Sequence, residues 1–187
     1  MYHIPEDKRA KKSAMLLAEA MLDYLENKEF TKISVSDLNK KSYVSRSTFY
    51  RLFDNTYDVL SYLCDNMYEE IFANLNSKVY SSVTELMTAF NREIMSRSRI
   101  LDALARNNMT DILNSTHVKH YEFFIPYFKE FRKGFSDKEL SCVFSILSGS
   151  LCSYIAWWVK NGKKETPEEL TAIVGKCFFA IASVTPQ

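Results

Sequence analysis

Twenty consecutive residues, from Leu140 to Val159, carry no charged side chain. A helix of about 20 apolar residues is long enough to cross a bilayer, so membrane insertion is one interpretation. Five serines and one glycine lie within this run, however, and they make it more polar than a typical span. We therefore expect a helix of a protein without membrane segments, and such a helix needs apolar cover on every side.

A helix over residues 136–161 would present three uncharged faces, one bulky, one of small residues and one mixed. A second helix is predicted over residues 167–184, because Gly162 can end the first helix and Thr166 and Pro167 are typical of a helix start. A chain of 187 residues has few further helices that could cover both. We predict that the two helices form a two-fold, four-helix interface in a homodimer. The alternative is a central helix in a monomer.

The rest of the chain also favours helices. Only 4 Gly and 4 Pro occur in the whole sequence, so long stretches lack turn-forming residues. Apolar residues at helical spacing predict a first helix over residues 7–28 and a long helix over residues 55–77. Ser82 and Ser136 are each followed three residues later by glutamate, a capping-box pattern that indicates two further helix starts. The predicted fold class is all-α.

Residues 34–53 form a pattern of two short helices separated by a turn. Ser34 and Asp37 have capping-box spacing, and Ser45 can cap the second helix. In the second helix, helical spacing separates a packing side from a side of hydrogen-bond donors: Val44, Thr48, Phe49 and Leu52 against Arg46, Ser47, Tyr50 and Arg51. We expect the first side to be buried and the second to face solvent.

The stretch from Lys40 to Arg51 contains four basic residues and no acidic one. Arginine offers a planar fork to guanine or phosphate, and serine and tyrosine hydroxyls reach phosphates and base edges. The local charge therefore suits a DNA duplex, although the net charge of the whole chain is only +1. An ordinary solvated pair of helices is the alternative.

Residues 44–53 resemble the recognition helix of the TetR family of transcriptional regulators nearly residue for residue. The similarity continues upstream through residues 30–35 and downstream through residues 57–60. It therefore covers roughly residues 8–67, about a third of the chain.

This resemblance implies a three-helix, helix-turn-helix DNA-binding domain over residues 1–55 and a helical bundle for dimerisation and effector binding over residues 56–187. The predicted DNA-binding residues are Ser34, Lys41, Tyr43, Ser45, Arg46, Ser47, Thr48, Tyr50, Arg51 and Thr56. Tyr43 stands where the family usually has glycine, which implies an altered or strained turn. Thr56 replaces a usual lysine and removes one expected charge contact with phosphate.

Residues 53–60, together with 157–162 and 167–170, resemble a subgroup of the family that includes regulators of dihydroxyacetone metabolism. The resemblance implies a homodimeric repressor that a small-molecule effector releases from a palindromic operator in double-stranded DNA. The alternative is a protein of the same fold that acts through a protein partner, as an activator or co-regulator, without a small-molecule effector.

A dense group of aromatic residues follows residue 120. Together with the later helix it could line an effector pocket, because apolar walls with a few hydroxyl or indole donors are typical of ligand sites. The predicted pocket residues are Tyr121, Phe124, Tyr127, Phe128, Tyr154 and Trp157. The alternative is that these rings simply fill the core.

Metal binding and catalysis have little support in the sequence. His117 and His120 lie three residues apart, but two histidines without a clear third ligand seldom form a metal site. The sequence has no glycine-rich phosphate loop, nucleophile elbow or metal-hydrolase motif. We therefore predict no metal, no cofactor and no enzymatic activity.

The cysteines indicate a reducing environment. None has CxxC spacing and all fall in apolar helical patterns: Cys64, Cys142, Cys152 and Cys177. The N-terminal residues are too charged for a signal peptide. We therefore expect reduced cysteines in the core of a cytoplasmic protein.

Overall fold

The computed structural model describes residues 2–120 and 134–182 of the chain. In these two segments the chain forms nine α-helices and a short 3-10 helix, Phe30–Lys32, and no β-strand. In chain order the helices are α1 Lys8–Leu25, α2 Val35–Ser42, α3 Arg46–Leu52, α4 Thr56–Asn76, α5 Val83–Met95, α6 Ser98–Arg106, α7 Asp111–Lys119, α8 Asp137–Lys160 and α9 Pro167–Ala182. The predicted all-α class is confirmed.

The short helices α2 and α3 pack against α1. This helix begins after Asp7, whose carboxylate accepts two backbone N–H groups of the first turn at 3.2 and 3.3 Å. It ends at Leu25, short of the predicted residue 28, and the N–H groups of Asn27 and Lys28 then both bond to the carbonyl of Tyr24, at 3.1 and 2.8 Å. Eight of its residues are buried, and they contact α2, α3, α4 and α6.

The long helix α4 connects this N-terminal unit to the rest of the chain. Asn55 caps it by accepting the N–H of Asp58 at 3.1 Å. Twelve of its 21 residues are buried, since it packs against α1, α5 and α7. The helix predicted over residues 55–77 is confirmed to within one residue at each end.

A hairpin of two helices, α8 and α9, lies at the C-terminal end. Gly162 and Lys163 follow α8 with left-handed φ angles of 85° and 56°, as expected where glycine ends a helix. Thr166 and Glu169 then exchange hydrogen bonds of 2.8 and 3.2 Å that cap α9. Both predicted helices are present, except that residues 183 and 184 lie outside the described part of the chain.

The two helices of the hairpin pack on different neighbours. α8 contacts α6 and α7, whereas α9 contacts α5, and an open groove of about 750 Å³ lies between them. Only five of the 24 residues of α8 are buried. α8 is also the helix in the described segments that is long and apolar enough to cross a membrane, a test that core helices of soluble proteins pass as well.

This arrangement corrects one expectation about the cysteines. Cys64 and Cys152 are buried, but Cys142 and Cys177 are exposed on the hairpin. An apolar helical pattern shows that cover is needed and does not show whether the same chain supplies it.

Candidate nucleic-acid interface

We call residues 34–53, which contain α2, α3 and the turn between them, the reading unit. Its first helix, α2, starts with a complete capping box. The Ser34 hydroxyl accepts the N–H of Asp37 at 3.1 Å, and the Asp37 carboxylate accepts the N–H of Ser34 at 2.9 Å. The Lys28 ammonium lies 2.9 Å from the same carboxylate. It is the main reason why the pKa of Asp37 falls well below its usual range, followed by the bonds from Ser34.

The turn between α2 and α3 is left-handed. Tyr43 has φ 57° and ψ 19°, and its side chain is 95% exposed. The turn is held by polar contacts on both sides: Asn39 donates to the carbonyl of Val44 at 2.7 Å, and the buried Ser42 hydroxyl accepts the N–H of Val44 at 3.2 Å. Tyr43 therefore occupies the backbone conformation that glycine provides more easily, as its position in the pattern implied.

The second helix, α3, buries one side and exposes the other. Phe49 and Leu52 are fully buried, and Val44 is 8% exposed, so three of the four residues predicted to pack are buried. The four predicted donors, Arg46, Ser47, Tyr50 and Arg51, are exposed. Thr48 is half-buried.

Hydrogen bonds and a ring contact organise this exposed side. The Ser45 hydroxyl caps α3 by accepting the N–H of Thr48 at 3.2 Å, and it lies 3.0 Å from the Ser47 hydroxyl. The Arg46 guanidinium lies over the Tyr50 ring, 5.6 Å from its centroid. Arg46 and Tyr50 thus form one planar, cationic feature, while Ser45 and Ser47 add hydroxyl groups at the start of the helix.

The start of α4 supplies a further group of backbone donors. Thr56 is its first residue and is half-buried. The Asp58 carboxylate accepts the N–H of Asp54 at 3.0 Å, which fixes the chain between α3 and α4. The N–H groups of a helix start attract phosphate, but here Asn55 already accepts one of them and the Asp58 carboxylate lies in the same turn.

Lys41 lies apart from the other predicted DNA-binding residues. Its ammonium is 3.0 Å from the carboxylate of Asp23 and 5.0 Å from the centroid of the Tyr24 ring, both on α1. Its neighbour Lys40 is exposed. The structure therefore directs Lys41 toward α1.

The sequence patterns did not indicate a contact between the N-terminal residues and the reading unit. Tyr2 pairs with Phe53 in a single antiparallel bridge, and the N–H of His3 donates to the carbonyl of Leu52 at 2.8 Å. The Tyr2 hydroxyl donates to Asp65 on α4 at 2.6 Å. Tyr2 and His3, which precede the first helix, thus connect the end of α3 to α4. No local sequence motif indicates these contacts.

Most of the predicted effector pocket lies outside the described residues, including Tyr121, Phe124, Tyr127 and Phe128. The two described members, Tyr154 and Trp157, differ in exposure to solvent. Tyr154 donates to Asn91 at 2.8 Å, whereas Trp157 is 43% exposed. Both line the groove between α8 and α9, and Tyr154 also lines a cavity of about 60 Å³ beside Phe90 and His117.

The histidine pair belongs to an aromatic cluster. His117 is buried 5.7 Å from the rings of Tyr68 and Phe90, and His120 stacks on Tyr68 at 6.2 Å. Burial, with a smaller effect of His120, lowers the pKa of His117 to about 4. The described segments contain no group of three or more potential metal ligands.

Comparison with known protein sequences gives a match over part of the chain. No protein-family model matches the chain. The HTH-type dhaKLM operon transcriptional activator DhaS from Lactococcus lactis subsp. lactis (strain IL1403) is 33% identical over 72 residues. The match covers 38% of this chain and 38% of DhaS, so it spans less than half of either protein.

Similarity to solved structures extends over nearly the whole chain. Lin0861 from Listeria innocua superposes with a TM-score of 0.80 at 18% identity over 96% of both chains. A TetR transcriptional regulator from Streptococcus agalactiae 2603V gives 0.63 at 18% identity, over 90% of this chain and 94% of that one. The dihydroxyacetone kinase operon activator DhaS gives 0.58 at 19% identity, over 94% and 98%. At these identities the comparisons establish the fold: its neighbours are TetR-family regulators, and the chain has the fold of that family.

Proposed function

We propose that the chain is a DNA-binding transcriptional regulator of the TetR type, with its DNA-binding domain at residues 1–55 and its dimerisation and effector domain at residues 56–187. The observation that carries this proposal is the exposed side of α3, where Arg46, Ser47, Tyr50 and Arg51 face solvent beside a left-handed turn. The fold of the neighbours supports it, and their names describe regulators, not enzymes.

The proposed roles follow from the chemistry of each exposed group. Arg46 reads a base edge through its fork, and Arg51 binds phosphate. Tyr43 and the hydroxyls of Ser45, Ser47, Thr48 and Tyr50 add contacts to phosphates or base edges. Ser34 and Thr56 place the starts of α2 and α4 toward phosphates.

The protein acts as a homodimer through α8 and α9. Support comes from the apolar side chains that a single copy leaves in solvent, since Ile146 is 58%, Trp157 43% and Ile173 40% exposed. A second copy related by a two-fold axis would cover these faces. Two reading units about 34 to 36 Å apart would then match successive major grooves of a palindrome.

The sign of regulation has two candidates. The repressor, released from its operator by a small-molecule effector, is the interpretation implied by the family resemblance. The activator has a specific observation in its favour, because a relative that is 33% identical over 72 residues is named as a transcriptional activator of its operon. A promoter fused to a reporter distinguishes them, since deletion of the gene raises transcription under a repressor and lowers it under an activator. Both candidates act in the cytoplasm.

Selection from a random pool of DNA duplexes tests the DNA-binding proposal. The wild-type chain should enrich a palindromic sequence, and its affinity should fall steeply with salt, by about 0.9 in log-log slope for each phosphate contact. Arg46→Ala should lose about 1–3 kcal/mol of discrimination at one base pair. Lys164→Ala, an exposed lysine in the α8–α9 connection, is the matched control and should bind as the wild type does. Failure to enrich any sequence would reject the proposal.

A further inference from the structure

One carboxylate joins two parts of the fold that are far apart in sequence. Asp23 on α1 lies 3.0 Å from the ammonium of Lys41, two residues before the turn residue Tyr43. Its other oxygen accepts a hydrogen bond from the guanidinium of Arg99, in the first turn of α6. The same side chain therefore contacts the end of α2 and the start of α6.

Arg99 is held on α1 by more than Asp23. Its Nε donates to Glu26 at 2.6 Å and its Nη1 donates to Glu19 at 3.4 Å. The end of α6 is attached to the same helix, because Arg106 donates to the carbonyl of Glu26 at 2.9 Å. Both ends of α6 thus contact the C-terminal part of α1 or Glu26, the residue that follows it, through arginine side chains.

α6 is also attached to the hairpin. Lys163, in the left-handed connection between α8 and α9, lies 2.7 Å from the carboxylate of Asp102 in the middle of α6. Two sets of ion pairs therefore meet on α6. Lys163 of the hairpin pairs with Asp102, and Arg99, three residues earlier on α6, pairs with Asp23, which also pairs with Lys41 at the end of α2.

These pairs set position more than they set overall stability. The side chains of Asp23 and Lys41 are 38% and 37% exposed, and ion pairs this exposed contribute little to the free energy of unfolding. Hydrogen bonds from Lys41 and then Arg99 lower the pKa of Asp23, so the carboxylate is ionised at neutral pH. A fixed charge with two directed partners restricts where α2 and α6 lie relative to α1.

Building on the DNA-binding function proposed above, we propose that Asp23 is a positioning residue for DNA reading. Through Lys41 it holds the end of α2 and the turn at Tyr43 in place for contact with DNA, and through Arg99 it couples that place to α6. Lys41 acts on the protein and not on a phosphate.

The sign of one substitution separates this role from plain electrostatics. Asp23→Asn removes a negative charge near a DNA-binding surface and releases Lys41, so without a positioning role it should raise affinity for any duplex and steepen the salt dependence. Positioning predicts the opposite for the selected duplex, with affinity about five- to tenfold lower. Affinity for a scrambled duplex should stay the same or rise, so the ratio of the two affinities falls.

The experiment measures fluorescence anisotropy of the full-length chain on two probes, the duplex enriched by the wild type and a scrambled duplex, over a range of salt. The variants are Asp23→Asn, Lys41→Gln, Arg99→Gln and the double variant Asp23→Asn with Arg99→Gln. Lys32→Gln is the matched control, because Lys32 forms an exposed ion pair of similar length, 2.9 Å, with Glu29. Thermal melting of each variant tests that it is folded.

The expected result is a lower affinity ratio for all three single variants, a salt slope for Lys41→Gln equal to that of the wild type, and a loss in the double variant smaller than the sum of the Asp23→Asn and Arg99→Gln losses. An unchanged or raised affinity of Asp23→Asn for the selected duplex overturns the proposal. So does a salt slope that falls by about 0.9 in Lys41→Gln, the value for a lost phosphate contact. A wild type that enriches no duplex would reject the DNA-binding function, and this proposal with it. A wild type that enriches a duplex which Asp23→Asn binds equally well or better would reject this proposal alone.

Discussion

Two long helices of this chain differ in how well the chain covers them. α4 has 21 residues, carries several acidic side chains and buries twelve of its residues. α8 has 24 residues, has no charge between Leu140 and Val159, and buries five. The more apolar helix is therefore the less covered one. Apolar composition creates a need for cover, and the part of the chain that the structure describes meets that need for α4 but not for α8.

The same contrast separates the N-terminal unit from the hairpin. Phe49, on the packing side of α3, is fully buried, whereas Phe179 on α9 is 76% exposed. The N-terminal helices place their apolar side chains in the common core of the chain, and the hairpin leaves apolar side chains in solvent. The two regions should therefore respond differently to the same kind of substitution.

The largest expected effect is in the covered region. Phe49→Ala removes a fully buried ring and should lower the free energy of unfolding by about 4 kcal/mol, from lost burial and the cavity left behind. Phe179→Ala is the matched control, and below the concentration of dimer formation it should change stability by less than about 1 kcal/mol. Urea titration followed by circular dichroism measures both. Equal losses in the two variants would contradict the contrast in cover.

A charge placed on the hairpin should act on assembly and leave the fold intact. Ile173 is 40% exposed and lines the groove between α8 and α9, so Ile173→Asp should weaken a dimer by about 3 kcal/mol, more than a hundredfold in its dissociation constant. Val79→Asp is the control, because Val79 is 96% exposed and lies outside the hairpin. Sedimentation equilibrium measures the dimer. A wild-type chain that is monomeric at every concentration would reject the role given to this surface.

Local sequence patterns predicted the reading unit well because its determinants are close in sequence. The capping box of Ser34 and Asp37 and the buried side of α3 depend on spacings of three or four residues, which helical geometry fixes. The left-handed turn was implied by one position, Tyr43, where a related pattern has glycine.

Contacts between distant residues could not be read from such patterns. Lys41 was expected on DNA because it lies in a basic stretch, yet its ion pair with Asp23 spans 18 residues of sequence and depends on how α2 packs on α1. The bridge between Tyr2 and Phe53 has no local signal either. The exposure of Cys142 and Cys177 depends on what packs against the hairpin, which the pattern of one helix does not contain.

The pH dependence of stability tests how well the side of α4 that faces His117 is covered. His117 on α7 is buried against Tyr68 of α4, and its pKa is lowered to about 4 in the folded chain. Below the unfolded pKa of about 6.5 the unfolded chain binds more protons than the folded one, so stability falls as the pH falls from there toward 4. The loss should reach about 2 kcal/mol near pH 5. Urea titrations at several pH values measure it.

His117→Phe is the control for this titration, because it keeps an aromatic ring and removes the proton. The variant should show no such loss between about pH 6.5 and 5. If the stability of the wild type stays constant over the same pH range, water reaches His117 in the folded chain. The side of α4 that faces His117 would then be less well covered than the burial of His117 indicates.

The smallest expected effect concerns the one large exposed side chain of the reading turn. Tyr43 has a left-handed backbone, which costs a residue with a Cβ atom about 1 kcal/mol, and its ring buries almost nothing in exchange. Tyr43→Gly should therefore raise the free energy of unfolding by about 0.5 to 1 kcal/mol, whereas Tyr43→Ala keeps the strain and should gain nothing. If both variants bind the selected duplex more weakly although only one is stabilised, the phenol contacts DNA and its strain is retained for that contact. Equal stability of the glycine and alanine variants would instead show that the turn is unstrained, and tyrosine would then need no functional reason to stand there.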